Sequence, residues 1–191
     1  MCGRYTLFTD QENQEIINII NAVNEKYKGQ EIKTGEIFPT NLAPVLFETA
    51  QEIAPAPMKW GFPNFRSKSG VIINARAETA MDKPTFRDAV FTGRCVVPST
   101  GFYEWNKEKK KYRFNLPNEK VLYMAGLFKE YDGERKFVIL TTAPNNSMSD
   151  VHNRMPVVLR KQQIKDWLSD TQYAVSALAE TPPELVRAIE I

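Results

Sequence analysis

Cys2 stands directly after the initiating methionine, so removal of Met1 would leave one residue carrying both a free α-amine and a thiol. Methionine is commonly trimmed when the next side chain is small. An amine and a thiol on adjacent carbons capture aldehydes: the amine forms an imine, and the thiol closes on it to give a five-membered thiazolidine. Reference values of roughly 7.7–8.0 for an α-amine and about 8.5 for a thiol leave both partly reactive near neutrality. A cysteine at this position is more commonly an accident, and position alone favours that reading.

Glu104 lies in Gly101-Phe102-Tyr103-Glu104-Trp105. A carboxylate among aromatics is poorly solvated, which raises its pKa toward values useful for general acid or base work. In a strand, Glu104 shares the face of Phe102, and a solvent-facing position is equally compatible with the local sequence. His152 is the sole histidine, a residue type that titrates near pH 6.5 and shuttles protons readily; for a lone histidine a structural or surface role is the commoner one. Asn74, Arg76 and Glu78 alternate, so a strand projects all three to one face, with Ala75 and Ala77 opposite. Arg4, Arg76 and Arg154 are candidates for phosphate contact or ordinary surface residues. Lys107 to Lys111 reads as a solvated hairpin, and Cys95 as a small apolar strand residue.

Composition narrows the field. A hydrophobic share of 42% with 25% charged residues suits one domain, 1–191, that buries a real core. The net charge of +2 is too small to announce a nucleic-acid binder, so any basic surface must be local. No apolar run approaches the roughly 18 residues of a membrane span, and no basic-then-apolar start suggests a secretory signal. One histidine and two cysteines, Cys2 and Cys95, make a zinc site a poor fit, and no cofactor is expected. In a reducing cytosol both thiols should be free.

The elements that must position these residues are mostly strands. Alternation and turn signals predict them at 43–47, 58–60, 71–78, 94–97, 101–105, 112–115, 121–131, 136–141 and 156–159. Asp132-Gly133 is a strong hairpin dipeptide. A capping box, Thr9-Asp10-Gln11-Glu12, precedes Ile16, Ile17, Ile20 and Val23 and predicts an amphipathic helix over 10–25. Residues 29–44 read as loop, and short helices fit 84–90, 147–151, 161–168 and 182–188. The fold class is α+β: a single domain with a curved, barrel-like, mainly antiparallel sheet and flanking helices.

Several blocks occur in a telling order: Met1-Cys2-Gly3-Arg4-Tyr5, Pro39-Thr40-Asn41-Leu42-Ala43-Pro44, Trp60-Gly61-Phe62 and Asn74-Ala75-Arg76-Ala77-Glu78-Thr79. Arg94-Cys95-Val96-Val97-Pro98, Gly101-Phe102-Tyr103-Glu104-Trp105, Thr141-Thr142-Ala143-Pro144-Asn145 and His152-Asn153-Arg154-Met155-Pro156 follow. Together, over residues 1 to about 178, they resemble the SOS response-associated peptidase (SRAP) family. The resemblance implies a crosslink between an N-terminal cysteine and the ring-opened aldehyde of an abasic site, mainly in single-stranded DNA, which shields the lesion. By motif position it implies Cys2 as crosslinking residue, with Asn74, Glu104 and His152 in the catalytic set. It implies Arg4, Arg76 and Arg154 as holders of the DNA backbone, with Thr141 a further polar residue of that DNA-binding pocket.

The implied partner is single-stranded DNA with abasic sites, no membrane is involved, and a monomer is expected in the cytoplasm or, in a bacterium, at the nucleoid. Some family members carry paired tryptophans after the Trp60-Gly61 region; here segment 63–70 has none, and Phe62 or Phe65 is the aromatic available for stacking. Two rival readings stay open: an N-terminal-nucleophile peptidase, including autoproteolysis ahead of Cys2, and noncovalent DNA binding that salt would weaken.

Overall fold

The computed structural model describes residues 2–65, 67 and 70–190. In chain order the elements are β1 (Tyr5–Leu7), α1 (Gln14–Lys26), β2 (Gly35–Ile37), β3 (Leu42–Glu48), β4 (Ile53–Trp60), β5 (Phe62–Pro63), β6 (Val71–Ile72) and β7 (Asn74–Arg76). There follow α2 (Pro84–Thr92), β8 (Arg94–Ser99), β9 (Gly101–Trp105), β10 (Lys111–Asn115), β11 (Leu122–Tyr131) and β12 (Glu134–Thr142). The chain finishes with β13 (Met155–Pro156), β14 (Val158–Leu159), α3 (Ile164–Ser169), α4 (Thr171–Ala177) and β15 (Val186–Glu190).

Five strands close into a ring: β12 pairs with β4, β4 with β3, β3 with β8, β8 with β11, and β11 with β12 again. A closed ring permits only an even number of direction reversals, so five strands require at least one parallel seam. That seam is β4–β12, where Lys59 faces Lys136 and Trp60 faces Phe137; the other four pairings are antiparallel. Closure removes the free edges that an open sheet would present. Asp132 and Gly133 both take positive φ, 52° and 77°, which is the geometry a two-residue hairpin between β11 and β12 requires.

A second sheet, in the order β15-β10-β9-β1-β2, shares one continuous hydrophobic core with the ring. The chain passes from one to the other at Thr100, the single residue between β8 and β9. Ser99 fixes this corner: its hydroxyl accepts from the Gly101 N–H at 2.8 Å and donates to the Gly101 carbonyl at 2.7 Å. Gly101 has φ of +136°, and a Cβ there would fall 2.5 Å from the Asn115 side chain, so only glycine fits.

Helices cover the outside. α1 buries Ile16, Ile20 and Val23. Arg94 ties two others to the ring, donating to the carbonyls of Val90 and Phe91 at the end of α2 and of Trp167 and Leu168 in α3. No helix among the described residues is long and apolar enough to cross a membrane.

Several expectations are corrected. The box at Thr9–Glu12 does not cap a helix: Asp10 Oδ1 instead accepts from the Glu12 N–H and the Asn13 side chain, and α1 begins at Gln14. The supposed loop at 29–44 contains β2 and the start of β3. β4 begins at Ile53 despite Pro55 and Pro57, because only Lys59 and Trp60 pair with β12 and the earlier half has an unpaired side that needs no N–H. The strand expected at 71–78 is broken into β6, β7 and a 3-10 turn, Ala77–Thr79, so Glu78 leaves the strand. Residues 147–151 form turns rather than a helix. Residues 182–188 run into β15, paired with β10. α4, capped by Asp170 through the N–H groups of Gln172 and Tyr173, was not foreseen.

Candidate active site

The site is assembled at the rim of the ring by short strands docked on longer ones. β7 lies parallel to β12, with Asn74 opposite Ile139 and Arg76 opposite Thr141. β13 lies on the same stretch of β12, with Thr141 opposite Pro156. The turns at 145–151 then place His152 just ahead of β13, its N–H donating to the Met148 carbonyl at 3.1 Å. Asn145 anchors these turns, donating to the carbonyls of Pro182 and Pro183 and accepting from Ser147. From the other sheet, β1 and β9 pair through Tyr5 and Phe102, and the Tyr103 N–H reaches the Arg4 carbonyl at 2.9 Å. That pairing brings residues 2–4 alongside the strand that carries Glu104.

Cys2 is enclosed, at 0% exposure. Its carbonyl accepts from Asn74 Nδ2 at 3.2 Å, and the same Nδ2 donates to the Ile73 carbonyl at 3.0 Å. Trp60 Nε1 donates to that Ile73 carbonyl as well, at 3.0 Å. The indole is fully buried, stacked on Phe137 and tilted against Tyr5, so Asn74 is located by a rigid plug. Asn74 Oδ1 is buried and has no hydrogen-bond partner among the described residues, which leaves an acceptor for an incoming donor.

Glu104 is also buried, at 4% exposure. Burial raises its pKa above the ordinary carboxylate value, with His152 pulling the other way. Glu104 Oε2 and His152 Nε2 are 3.9 Å apart. His152 Nδ1 lies 3.1 Å from the Arg154 N–H and 3.2 Å from the Arg154 carbonyl, which orients the ring with Nε2 toward Glu104. Burial pushes the Cys2 thiol well up, and the Glu104 carboxylate adds to that, so in this enclosed state the sulfur keeps its proton. Chemically, the arrangement holds a nucleophile, a carboxyl with a raised pKa, an imidazole and an amide within one small enclosure.

The basic residues are placed less uniformly. Arg4 pairs with Glu36 at 3.2 Å and lies over Phe38 and Trp105. Arg76 is exposed. Arg154 is engaged with Glu78, whose carboxyl it holds below the usual carboxylate range through paired hydrogen bonds of 2.6 and 2.9 Å. Thr141 is buried beside it, its carbonyl accepting from Arg154 Nη2 at 2.5 Å.

A groove of about 650 Å³ runs from Asn74, Arg76 and Thr141 past Lys83 and Lys129 to Phe65. Of the two aromatics considered for stacking, Phe62 is fully buried against Phe86 and Tyr131 and cannot receive a base. Phe65 is 86% exposed on the groove's rim. A larger hollow of about 740 Å³, lined in part by Tyr27, Thr40, Lys59 and Arg135, contains none of Cys2, Asn74, Glu104 and His152. Both cysteines are free thiols, as expected. The sequence alone does not place Trp60, Glu78, Lys83 or Lys129 beside these residues. Glu78 had a usable signal, standing two residues from Arg76 in the same block.

The ring, its docked rim strands and the enclosed cysteine define a particular class of protein, and over residues 1–190 the chain matches the model of SOS response associated peptidases (SRAP). It belongs to that family. It is 30% identical over 208 residues to the abasic site processing protein YoqW of Bacillus subtilis (strain 168), covering 100% of this chain and 92% of that protein. It is 26% identical over 179 residues to the abasic site processing protein YedK of Escherichia coli (strain K12), covering 88% of this chain and 79% of that one. A crystal structure of a protein from Bacteroides thetaiotaomicron shares the fold, with a TM-score of 0.77 at 22% identity over 98% of this chain and 91% of the other.

Proposed function

We propose that this chain processes abasic sites in single-stranded DNA by bonding to them covalently, through a thiazolidine built from the α-amine and thiol of Cys2 once Met1 has been removed. The observation that carries this reading is the enclosure itself: Cys2 is hydrogen-bonded to Asn74 and lies within electrostatic reach of Glu104, which faces His152. The abasic site processing relatives, YoqW and YedK, support it.

An abasic sugar is mostly a closed hemiacetal. Opening it breaks the bond from the anomeric carbon to the ring oxygen, puts a proton on that oxygen and takes one from the anomeric hydroxyl. Glu104, which burial keeps protonated more readily, supplies the first proton, and His152 takes the second and passes it back to Glu104. The Cys2 amine then adds to the aldehyde carbon and water leaves, giving a C=N bond. Sγ adds to the same carbon while the thiol proton passes to nitrogen. One water is released and no oxidant is needed. The imine is the species from which a lyase would cleave the strand; closing the thiazolidine removes the C=N bond and withholds that cleavage.

Incubating the Met1-processed chain with a single-stranded oligonucleotide bearing one abasic site is expected to give a gel shift stable to heat and detergent. Cys2→Ala is expected to give none. A residue inserted ahead of Cys2 should block ring closure although the thiol remains. No shifted species for wild type, or an equal one for Cys2→Ala, overturns the proposal.

A further inference from the structure

The outward fork of Arg154 is occupied by a carboxylate of its own chain. Glu78 Oε1 accepts from Nη1 at 2.6 Å and Oε2 from Nη2 at 2.9 Å, the two-point geometry that arginine forms with carboxylate or phosphate alike. The partners differ in freedom. The Arg154 side chain is 15% exposed and held from behind by the Thr141 carbonyl, while its backbone N–H is taken by His152. The Glu78 side chain is 45% exposed on a 3-10 turn and can rotate into solvent without moving the backbone. Arg154 Nε is buried without a partner among the described residues, so the fork that Glu78 holds is the one facing outward.

We infer that Glu78 occupies the position of a DNA phosphodiester and has to leave before a strand can seat against Arg154, so that it acts as an internal competitor setting how tightly DNA is held. The inference rests on the proposed function. A carboxylate and a phosphate at one fork would bring like charges within a few ångströms, and the two exclude one another there. Arg76, two residues before Glu78 and exposed, adds a second positive charge to the same position.

The test is equilibrium binding of the full, Met1-processed chain to a single strand carrying a tetrahydrofuran residue, which has no aldehyde and cannot crosslink. Glu78→Gln is expected to bind about 3- to 10-fold tighter than wild type at moderate salt. Adding Arg154→Gln should abolish that gain. Should Glu78→Gln fail a thermal-melting check of its fold, Glu78→Asp, whose shorter carboxylate cannot span both nitrogens, is expected to tighten binding in smaller measure. Unchanged or weaker binding in the folded variant overturns the inference, weaker binding marking Glu78 as a support that only holds Arg154 in place. A wild-type chain that binds and crosslinks while Glu78→Gln gains nothing defeats this inference alone. A wild-type chain that does neither defeats the proposed function with it.

Discussion

At Glu104 the proposed chemistry and the stability of the fold meet in one carboxyl. Burial raises its pKa, so the native state binds this proton more tightly than the unfolded chain, where glutamate titrates near 4.3. The stabilising contribution is therefore full below about pH 4 and is lost as pH rises through the raised native value. Glu104→Gln cannot ionise in that window. Its melting temperature is expected to gain on wild type as pH increases from about 4 toward 8, while its crosslinking becomes slower at every pH. Melting curves at a series of pH values check the first part; a difference independent of pH would contradict the raised value. Unchanged crosslinking kinetics would remove Glu104 from the proton-transfer role. Neither the burial nor the 3.9 Å approach to His152 was readable beforehand, because the flanking aromatics are compatible with either face of a strand.

Among the elements, the short strands at the rim matter more than their length suggests. β7 has three residues and β13 two, yet both are fixed by β12, and β7 is steadied from below through the bond of Trp60 to Ile73. Trp60→Phe keeps an aromatic plug but removes this donor. It is expected to cost about 1–2 kcal/mol in urea unfolding and to slow crosslinking at saturating DNA. An unchanged rate would show that pairing on β12 alone locates Asn74.

The sequence made most of the ring legible because alternation and Asp132-Gly133 are local signals, although the half of β4 that carries Pro55 and Pro57 stayed hidden. It hid β2 and β15, which lie at the edges of the second sheet and carry half-exposed, polar or mixed residues. It suggested a capping box at Thr9 to Glu12 whose side chains found nearer partners instead. The candidate residues stood out only as an ordered set. What joins them is long-range packing, which no spacing along the chain announces.

For the whole molecule, a net charge of +2 says little about where charge lies. Arg76, Lys83 and Lys129 line one groove that begins at Asn74, so the expected binding is local and screened by salt. With about three phosphate contacts on a single strand, log K against log salt should fall with a slope near −2. Lys83→Glu combined with Lys129→Glu should flatten it. A slope near zero would argue against this groove as the strand's path. The enclosure around Cys2 has a consequence in time as well as in space. Cys2, Asn74, Glu104 and His152 are far apart along the chain, and only folding brings them together. Until the ring and its rim strands have closed, the Cys2 thiol is an ordinary one without these neighbours. Folding withdraws it into the interior. The neighbours of this cysteine thus come into being at the same moment as the fold.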